Sequence, residues 1–301
     1  MKILVTGCCG YIGSLLVPFL LADKHDVTGV DIQMFGDGYL PKDNGHFRLQ
    51  EDWDGEFDAV IHLAGLTSDA ACQLNPEYAN KMNVEYLQVT LHKAKASGIK
   101  RFIYVSSAAV YGSTTTPAYE TDALEPTTIY GKHKAQCEDL IHKHESKDFK
   151  WVILRPAGAC GFSPRMRFDL TVNRMTRDAV MTGKINVHGG NQVRPNIHIR
   201  DFVDCLRWAL DSYTGTYNVA CENATVMSVA QRVAEITGAS IDVTPRTDDR
   251  SYSVNSVKIS RAGFSPIYTV ENAINDMKSR FKVYWPDAMT NPVYMNVYTP
   301  T

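Results

Sequence analysis

"MKILVTGCCGYIGSLL" (residues 1–16) sets an apolar, strand-like run, Lys2 to Thr6, against glycines at 7, 10 and 13 and the start of a helical run, Tyr11 to Ala22. Glycine lets a chain turn tightly and lets backbone N–H groups approach a ligand closely, and the first turn of a helix favours negative charge. Three glycines alone are a weak sign, and strand, turn and helix in this order strengthen it. Eighteen residues beyond Gly13, Asp31 closes the next apolar run, near the spacing expected of a carboxylate that binds a ribose hydroxyl. The reading is a dinucleotide turn: Gly7, Gly10, Tyr11, Ile12 and Gly13 around the diphosphate, Asp31 and Ile32 at the ribose, Asp52 and Trp53 flanking the adenine. A carboxylate at 31 repels a 2′-phosphate and no arginine follows it closely, so NAD is expected over NADP. Cys8 and Cys9 are read as compact fillers of the variable loop positions.

Outward from this turn, apolar and helix-period stretches alternate: 26–31, 59–63, 102–106 and 151–155 as strands, 76–96 as a helix. The alternation predicts the α/β class, a doubly wound parallel (Rossmann) sheet with helices on both faces. Pro156 ends the last of these strands because it has no N–H to donate. After it, "AGACGFSPRMRFD" (157–169) has the texture of a loop and begins a smaller C-terminal α/β substrate-binding unit. The expected division is 1–156 for the dinucleotide unit, rejoined by about 196–222, with 157–195 and 223–301 forming the second. Arg165 and Arg167 lie in that loop, which could cover a bound substrate, and are read in preference as solvated charge. The closing "YWPDAMTNPVYMNVYTPT" (284–301), rich in proline and aromatics, is read as an ordered tail or an oligomer contact instead of a helix.

Among 301 residues, 31 basic side chains face 33 acidic ones, for a net charge of −2, with no run of like charge. This argues against a nucleic-acid groove or an anionic membrane surface and leaves a small molecule as the expected partner. No apolar run approaches the roughly 20 residues of a membrane span, and Met1 leads directly into a strand, so a cytoplasmic protein is expected. Seven cysteines (8, 9, 72, 137, 160, 205, 221) are scattered without a C-x-x-C pair and are read as reduced, with no metal site.

"YGKHK" (130–134) puts Lys134 four residues after Tyr130, on the same face of a helix. An ammonium near a phenol, joined by a nicotinamide cation, lowers the phenol's pKa. Moving it from about 10 to near 7 takes roughly 4 kcal/mol, within reach of two cations in a partly dry cleft. Tyr130 is then expected to act as a general base near neutral pH. Taken singly, such a pair occurs on many solvated helices and paired serines end many strands. Joined to the glycine turn, they point to a catalytic site.

The spacing G-x-x-G-x-x-G, with "HLAG" (62–65), Asn83 in "MNVEYLQV", "RFIYVSSAAVYG" (101–112), "YGKHK", "ILRP" (153–156), "VRPNIHIRDFVD" (193–204), "TYNVA" (216–220) and "SVAQRVAEITG" (228–238), resembles the extended short-chain dehydrogenase/reductase family. The pattern is nearest to its NAD-dependent nucleotide-sugar epimerases and dehydratases, UDP-hexose 4-epimerases in particular. The resemblance implies that Leu63, Ala64, Gly65, Asn83, Ser106, Tyr130, Lys134 and Pro156 also contact the cofactor. It makes Ser107, with Ser106 as the neighbouring alternative, the hydroxyl that holds the reacting sugar oxygen, beside Tyr130 and Lys134 as the catalytic set. Asp169 (or Leu170), Arg194 and Arg250 are implied at the nucleotide-diphosphate sugar. Where the family's dehydratases carry an acid–base pair this chain has Ala108 and Ala109, so a 4-epimerase is expected. A keto-sugar reductase or a dehydratase, and more remotely a non-catalytic NAD-sensing regulator, stand as alternatives. The resemblance also implies a homodimer through helices near 76–96 and 127–145, burying Leu87, Leu91, Leu140 and Ile141, which could equally face the sheet.

Overall fold

The computed structural model describes residues 1–37, 40–42, 46–50, 52–211, 213–245 and 250–296. Its strands in chain order are β1 (Lys2–Thr6), β2 (Asp26–Val30), β3 (Phe47–Gln50), β4 (Ala59–His62), β5 (Arg101–Val105), β6 (Lys150–Pro156), β7 (Gly158–Cys160), β8 (Lys184–His188), β9 (Val193–His198), β10 (Gly215–Val219), β11 (Glu222–Thr225) and β12 (Ser240–Thr244). Seven of them form one parallel sheet in the order β3-β2-β1-β4-β5-β6-β10. The direction of winding reverses between β1 and β4, the place where such sheets open a ligand crevice at the carboxyl ends of their strands. Strands β1, β4 and β5 are buried almost end to end, as a sheet covered on both faces requires.

One face of the sheet packs on the helices Gly13–Ala22 and Ile199–Trp208 through Leu16, Val17, Leu20, Phe202, Val203 and Leu206. The other packs on Tyr86–Ala96 and Ile129–Lys143 through Leu87, Leu91, Cys137 and Ile141, with Leu140 partly buried beside them. The residues expected at a dimer contact therefore face the sheet.

The predicted single helix over 76–96 is three pieces: Pro76–Asn80, a wide π turn at Lys81–Glu85, and Tyr86–Ala96. The π turn carries the buried Asn83, which reaches Leu66 past the end of β4: the Leu66 N–H donates to Asn83 Oδ1 at 2.7 Å and Asn83 Nδ2 donates to the Leu66 carbonyl at 3.1 Å. Such local widenings recur beside functional sites. Strand β3, at the sheet edge, carries no apolar run to announce it: its four residues mix polar and apolar side chains.

Beyond Pro156, β7 pairs with β9 and β9 with β11 in a small second sheet, and β8 pairs with β12. The helices Thr171–Thr182, Val226–Thr237 and Val270–Lys278 pack together over a second core that includes Met166, Phe168, Met175, Ile274 and Phe281. The closing segment adds Trp285, Ala288 and Tyr294 to that core, and the Phe168 N–H donates to the Tyr294 carbonyl at 2.8 Å. Ile12, Leu15 and Ala159 pack against both cores.

Candidate active site

A cleft of about 530 Å³ lies past the carboxyl ends of β1 and β4, where the winding reverses. Its floor is the glycine turn. Gly7 has φ +71°, and a Cβ there would fall 2.6 Å from Ala64 N. At Gly13 a Cβ would fall 2.5 Å from the Cys8 carbonyl oxygen, so helix and turn could not pack as they do with any side chain at this position. No side chain caps the helix that begins at Gly13; the Gly10 and Ile12 carbonyls take the N–H groups of Ser14, Leu15 and Leu16, and the positive end of the helix faces the cleft. Gly10, Tyr11, Ile12, Asp31, Ile32, Leu63, Ala64, Gly65 and Pro156 all line the cleft.

The aromatic in the turn has a structural task. Tyr11, 4% exposed, donates its hydroxyl to the Gly161 carbonyl at 2.7 Å and accepts from Asn173 Nδ2 at 3.1 Å. Asp31 accepts from the N–H groups of Cys9 (2.9 Å) and Gln33 (2.7 Å). Burial raises the Asp31 pKa, and those two N–H groups and Arg165 oppose the rise. Cys8 and Cys9 are buried with sulfurs 3.9 Å apart, close enough to Asp31 that a metal could be imagined. The contact with Cys9 and burial push the Cys8 thiol far up, and the Asp31 oxygens are committed to backbone N–H groups, so the cluster behaves as a packed turn.

At the end of β5, Ser107 caps a short 3-10 turn, Ala108–Tyr111, by accepting from the Ala109 N–H at 3.1 Å, and lines the cleft with Tyr130, whose pKa it lowers. Ser106 lines the cleft but gives its hydroxyl to Glu138, which separates the two serines by task. Thr128 caps the helix Ile129–Lys143 by accepting from Gly131 N, and so presents Tyr130 in its first turn. Lys134, 5% exposed, donates Nζ to the Val105 carbonyl at 2.7 Å and lies 5.8 Å from the centre of the Tyr130 ring. Burial lowers the Lys134 pKa to about 8. Burial also raises the Tyr130 pKa, against the pull of Ser107 and Arg167. The lowering expected for this phenol is thus not a property of the protein alone, because Lys134 is tied to the end of β5 and lies beside the ring.

Beneath the serines Glu138, fully buried, is held by Arg155 through Nε at 3.0 Å and Nη2 at 2.6 Å, and Arg155 Nη1 donates to the Tyr111 hydroxyl at 2.6 Å. None of these residues was singled out in the sequence.

Several assignments change. Asp52 is exposed and paired with Lys93 at 2.8 Å, and Trp53 is buried edge-on to Phe57. Neither lines the cleft, since the loop after β3 turns them toward Lys93. Asn83 also stays out of the lining and acts on it through Leu66. Lys134 lies behind Tyr130 instead of on the wall. Arg165 and Arg167 are not solvated: they are 3% and 9% exposed and line the cleft. Arg167 pairs with Asp169 and donates to Thr67 Oγ1 at 2.8 Å. These partners lie as far as 131 residues away for Arg165 and 100 for Arg167, beyond any local pattern.

A second chamber of about 320 Å³ adjoins the cleft and shares Asp69, Asp169, Thr171, Arg194 and Tyr252 with it. Arg194 lies over Tyr252, 5.2 Å from the ring centre, and Arg250 pairs with Asp69 at 3.3 Å at this chamber. Arg174, also in its wall, had no sequence signal beyond its helix.

The sequence profile of the NAD dependent epimerase/dehydratase family matches residues 3–220. The chain belongs to this family. Its dinucleotide is NAD, and the glycine turn, Asp31 and the cleft above them fit that cofactor: both glycines that a side chain would block lie where backbone and diphosphate must approach. The chain is 28% identical over 307 residues to a UDP-glucose 4-epimerase of Halalkalibacterium halodurans, covering 89% of this chain and 91% of that one. It is 29% identical over 266 residues to an uncharacterized UDP-glucose epimerase of Bacillus subtilis (strain 168), covering 79% and 83%. In fold it is similar to the UDP-glucose 4-epimerase of Thermus thermophilus solved with NAD: TM-score 0.84, 23% identity, 94% of this chain and 99% of that one.

Proposed function

We propose that this family member is a nucleotide-sugar 4-epimerase. One observation carries the reading: Ser107 and Tyr130 line the dinucleotide cleft together, the serine lowering the phenol's pKa, with only alanines, Ala108 and Ala109, in the two positions that follow Ser107. Elimination of water needs its own acid and base, and the nearest carboxylates in the lining, Asp69 and Asp169, are paired with Arg250 and Arg167. Bound NAD supplies a reversible acceptor for the C4 hydrogen as hydride. Ser107 holds the C4 oxygen. Tyr130 takes the hydroxyl proton as the ketone forms and returns it when the alcohol re-forms with the opposite configuration. Lys134 supports the phenolate as a nearby cation, joining the positive charge of an oxidised nicotinamide. Arg194 and Arg250 at the adjoining chamber suit the oxygens of a nucleotide diphosphate.

UDP-hexoses are the substrates we favour, on the names of the relatives above. Incubating the protein with a panel of nucleotide sugars and separating products by chromatography tests this directly. Interconversion of a C4 pair without added reductant supports it, whereas net consumption of a reduced dinucleotide or loss of water assigns a reductase or a dehydratase. A cytosolic setting fits the seven unpaired cysteines. A homodimer would use the outer faces of the helices Tyr86–Ala96 and Ile129–Lys143, where Val89 is 54% exposed, because Leu87, Leu91 and Ile141 are turned inward.

A further inference from the structure

Arg165 is a buried cation whose partners leave it incomplete. Its backbone N–H donates to Ser14 Oγ at 3.3 Å, in the first turn of the helix that rises from the glycine turn. Its side chain runs to the far side of that turn, where the guanidinium carbon lies 4.2 Å from the centre of the Phe35 ring, in the loop that follows Asp31. Nη2 donates to the Val293 carbonyl at 3.1 Å and to Asn296 Oδ1 at 2.8 Å. Nε has no partner, although the side chain is 97% withdrawn from solvent (3% exposed) and lines the cleft. Among the described residues no ion pair joins Arg165 to a carboxylate: Asp169 is bound to Arg167, and Asp31 holds two backbone N–H groups. Burial lowers the Arg165 pKa to about 9, with the neighbouring Arg167 adding to the fall and Asp169 and Asp31 opposing it.

A guanidinium taken out of water is stable only when its donors and its charge are answered. Here both remain partly open in the wall of the cleft whose floor is the glycine turn, a place suited to an anion. We infer that Arg165 clamps the dinucleotide's diphosphate from above, opposite the glycine turn, and that the closing segment holds it there through Val293 and Asn296. The diphosphate would lie between the backbone N–H groups below and a fork-shaped cation above. The sequence conceals this because the arginine follows Asp31 by 134 positions (165 minus 31) and arrives from the second unit.

The inference rests on NAD occupying this cleft, and its test separates the two. Titration calorimetry of the full chain with NAD, and saturation-transfer NMR with adenosine, which lacks phosphate, compare wild type with Arg165→Met and Arg165→Lys. Charge-assisted contacts to phosphate predict that Arg165→Met weakens NAD by about ten- to a hundredfold, that Arg165→Lys recovers part of it, and that adenosine changes by less than about twofold. NAD affinity within about twofold of wild type in Arg165→Met overturns the clamp. An equal loss for adenosine also overturns it, placing the effect at Phe35 and the nucleoside. Should the methionine variant not fold, Arg165→Gln, which keeps an N–H donor without the charge, carries the same comparison. Wild-type protein that fails to bind NAD would instead sink the cofactor assignment.

Discussion

Burial holds the Tyr130 phenol protonated, while Ser107 and Arg167 favour release of the proton. The proposed chemistry depends on that balance. Tyr130→Phe removes the proton carrier and leaves the cleft's shape, so epimerisation should fall by about a hundredfold or more while NAD affinity stays within about twofold. Product chromatography and calorimetry check the two halves. Lys134→Met deletes the nearby cation, which moves the phenol's pKa up. The rising limb of the pH profile of kcat/KM should therefore shift to higher pH, a change that a merely destabilised variant would not show. At Gly13, alanine would press its methyl to 2.5 Å from the Cys8 carbonyl oxygen. Overpacking of this kind costs about 1–3 kcal/mol, measurable as a lower urea midpoint with NAD binding lost in parallel.

Among the elements, the helix Ile129–Lys143 carries both halves of the site: Tyr130 lines the cleft with Lys134 behind it, and one turn further on Glu138 enters a buried pair with Arg155. Removing one partner strands the other. Arg155→Met should cost about 3–5 kcal/mol in urea unfolding, and the double change Arg155→Met with Glu138→Leu should recover much of it. The strands and the glycine turn were legible because they are written locally: apolar runs of even length, and glycines where a Cβ has no room. What could not be read is set by distant contacts. The π turn at Lys81–Glu85 exists because Asn83 must face Leu66, the burial of Arg165 and Arg167 depends on Asn296 and Thr67, and Trp53 is drawn to Phe57 and Lys93. Each involves a polar or aromatic group that sequence alone leaves equally suited to solvent.

At the scale of the whole molecule, acid should weaken the fold in a defined window. His62 is buried against Thr6 Oγ1, and burial, aided by Lys134, lowers its pKa to about 3. The unfolded chain takes up a proton at this residue near pH 6.5, which the native state refuses until about 3, so stability falls as pH drops through that interval. His62→Gln should flatten that part of a plot of unfolding free energy against pH, whose total change from this group is a few kcal/mol, roughly 1.4 kcal/mol per pH unit. A chain ending at residue 285 loses Ala288, Tyr294 and Asn296. It should melt at lower temperature and, through Arg165, bind NAD more weakly than the full chain, both readable in one thermal-shift titration.

Tyr11 and Ser14, from the first twenty residues, end on Gly161 and Ser163, which come after the central sheet's sixth strand. The unit beyond Pro156 is consequently no interchangeable module. A chimaera spliced at residue 156 would pair one parent's phenol with another parent's carbonyl and strand a buried hydroxyl wherever the two disagreed. Engineers wishing to transplant specificity onto this scaffold would have to move 161–173 together with positions 11 and 14, as a single inherited block.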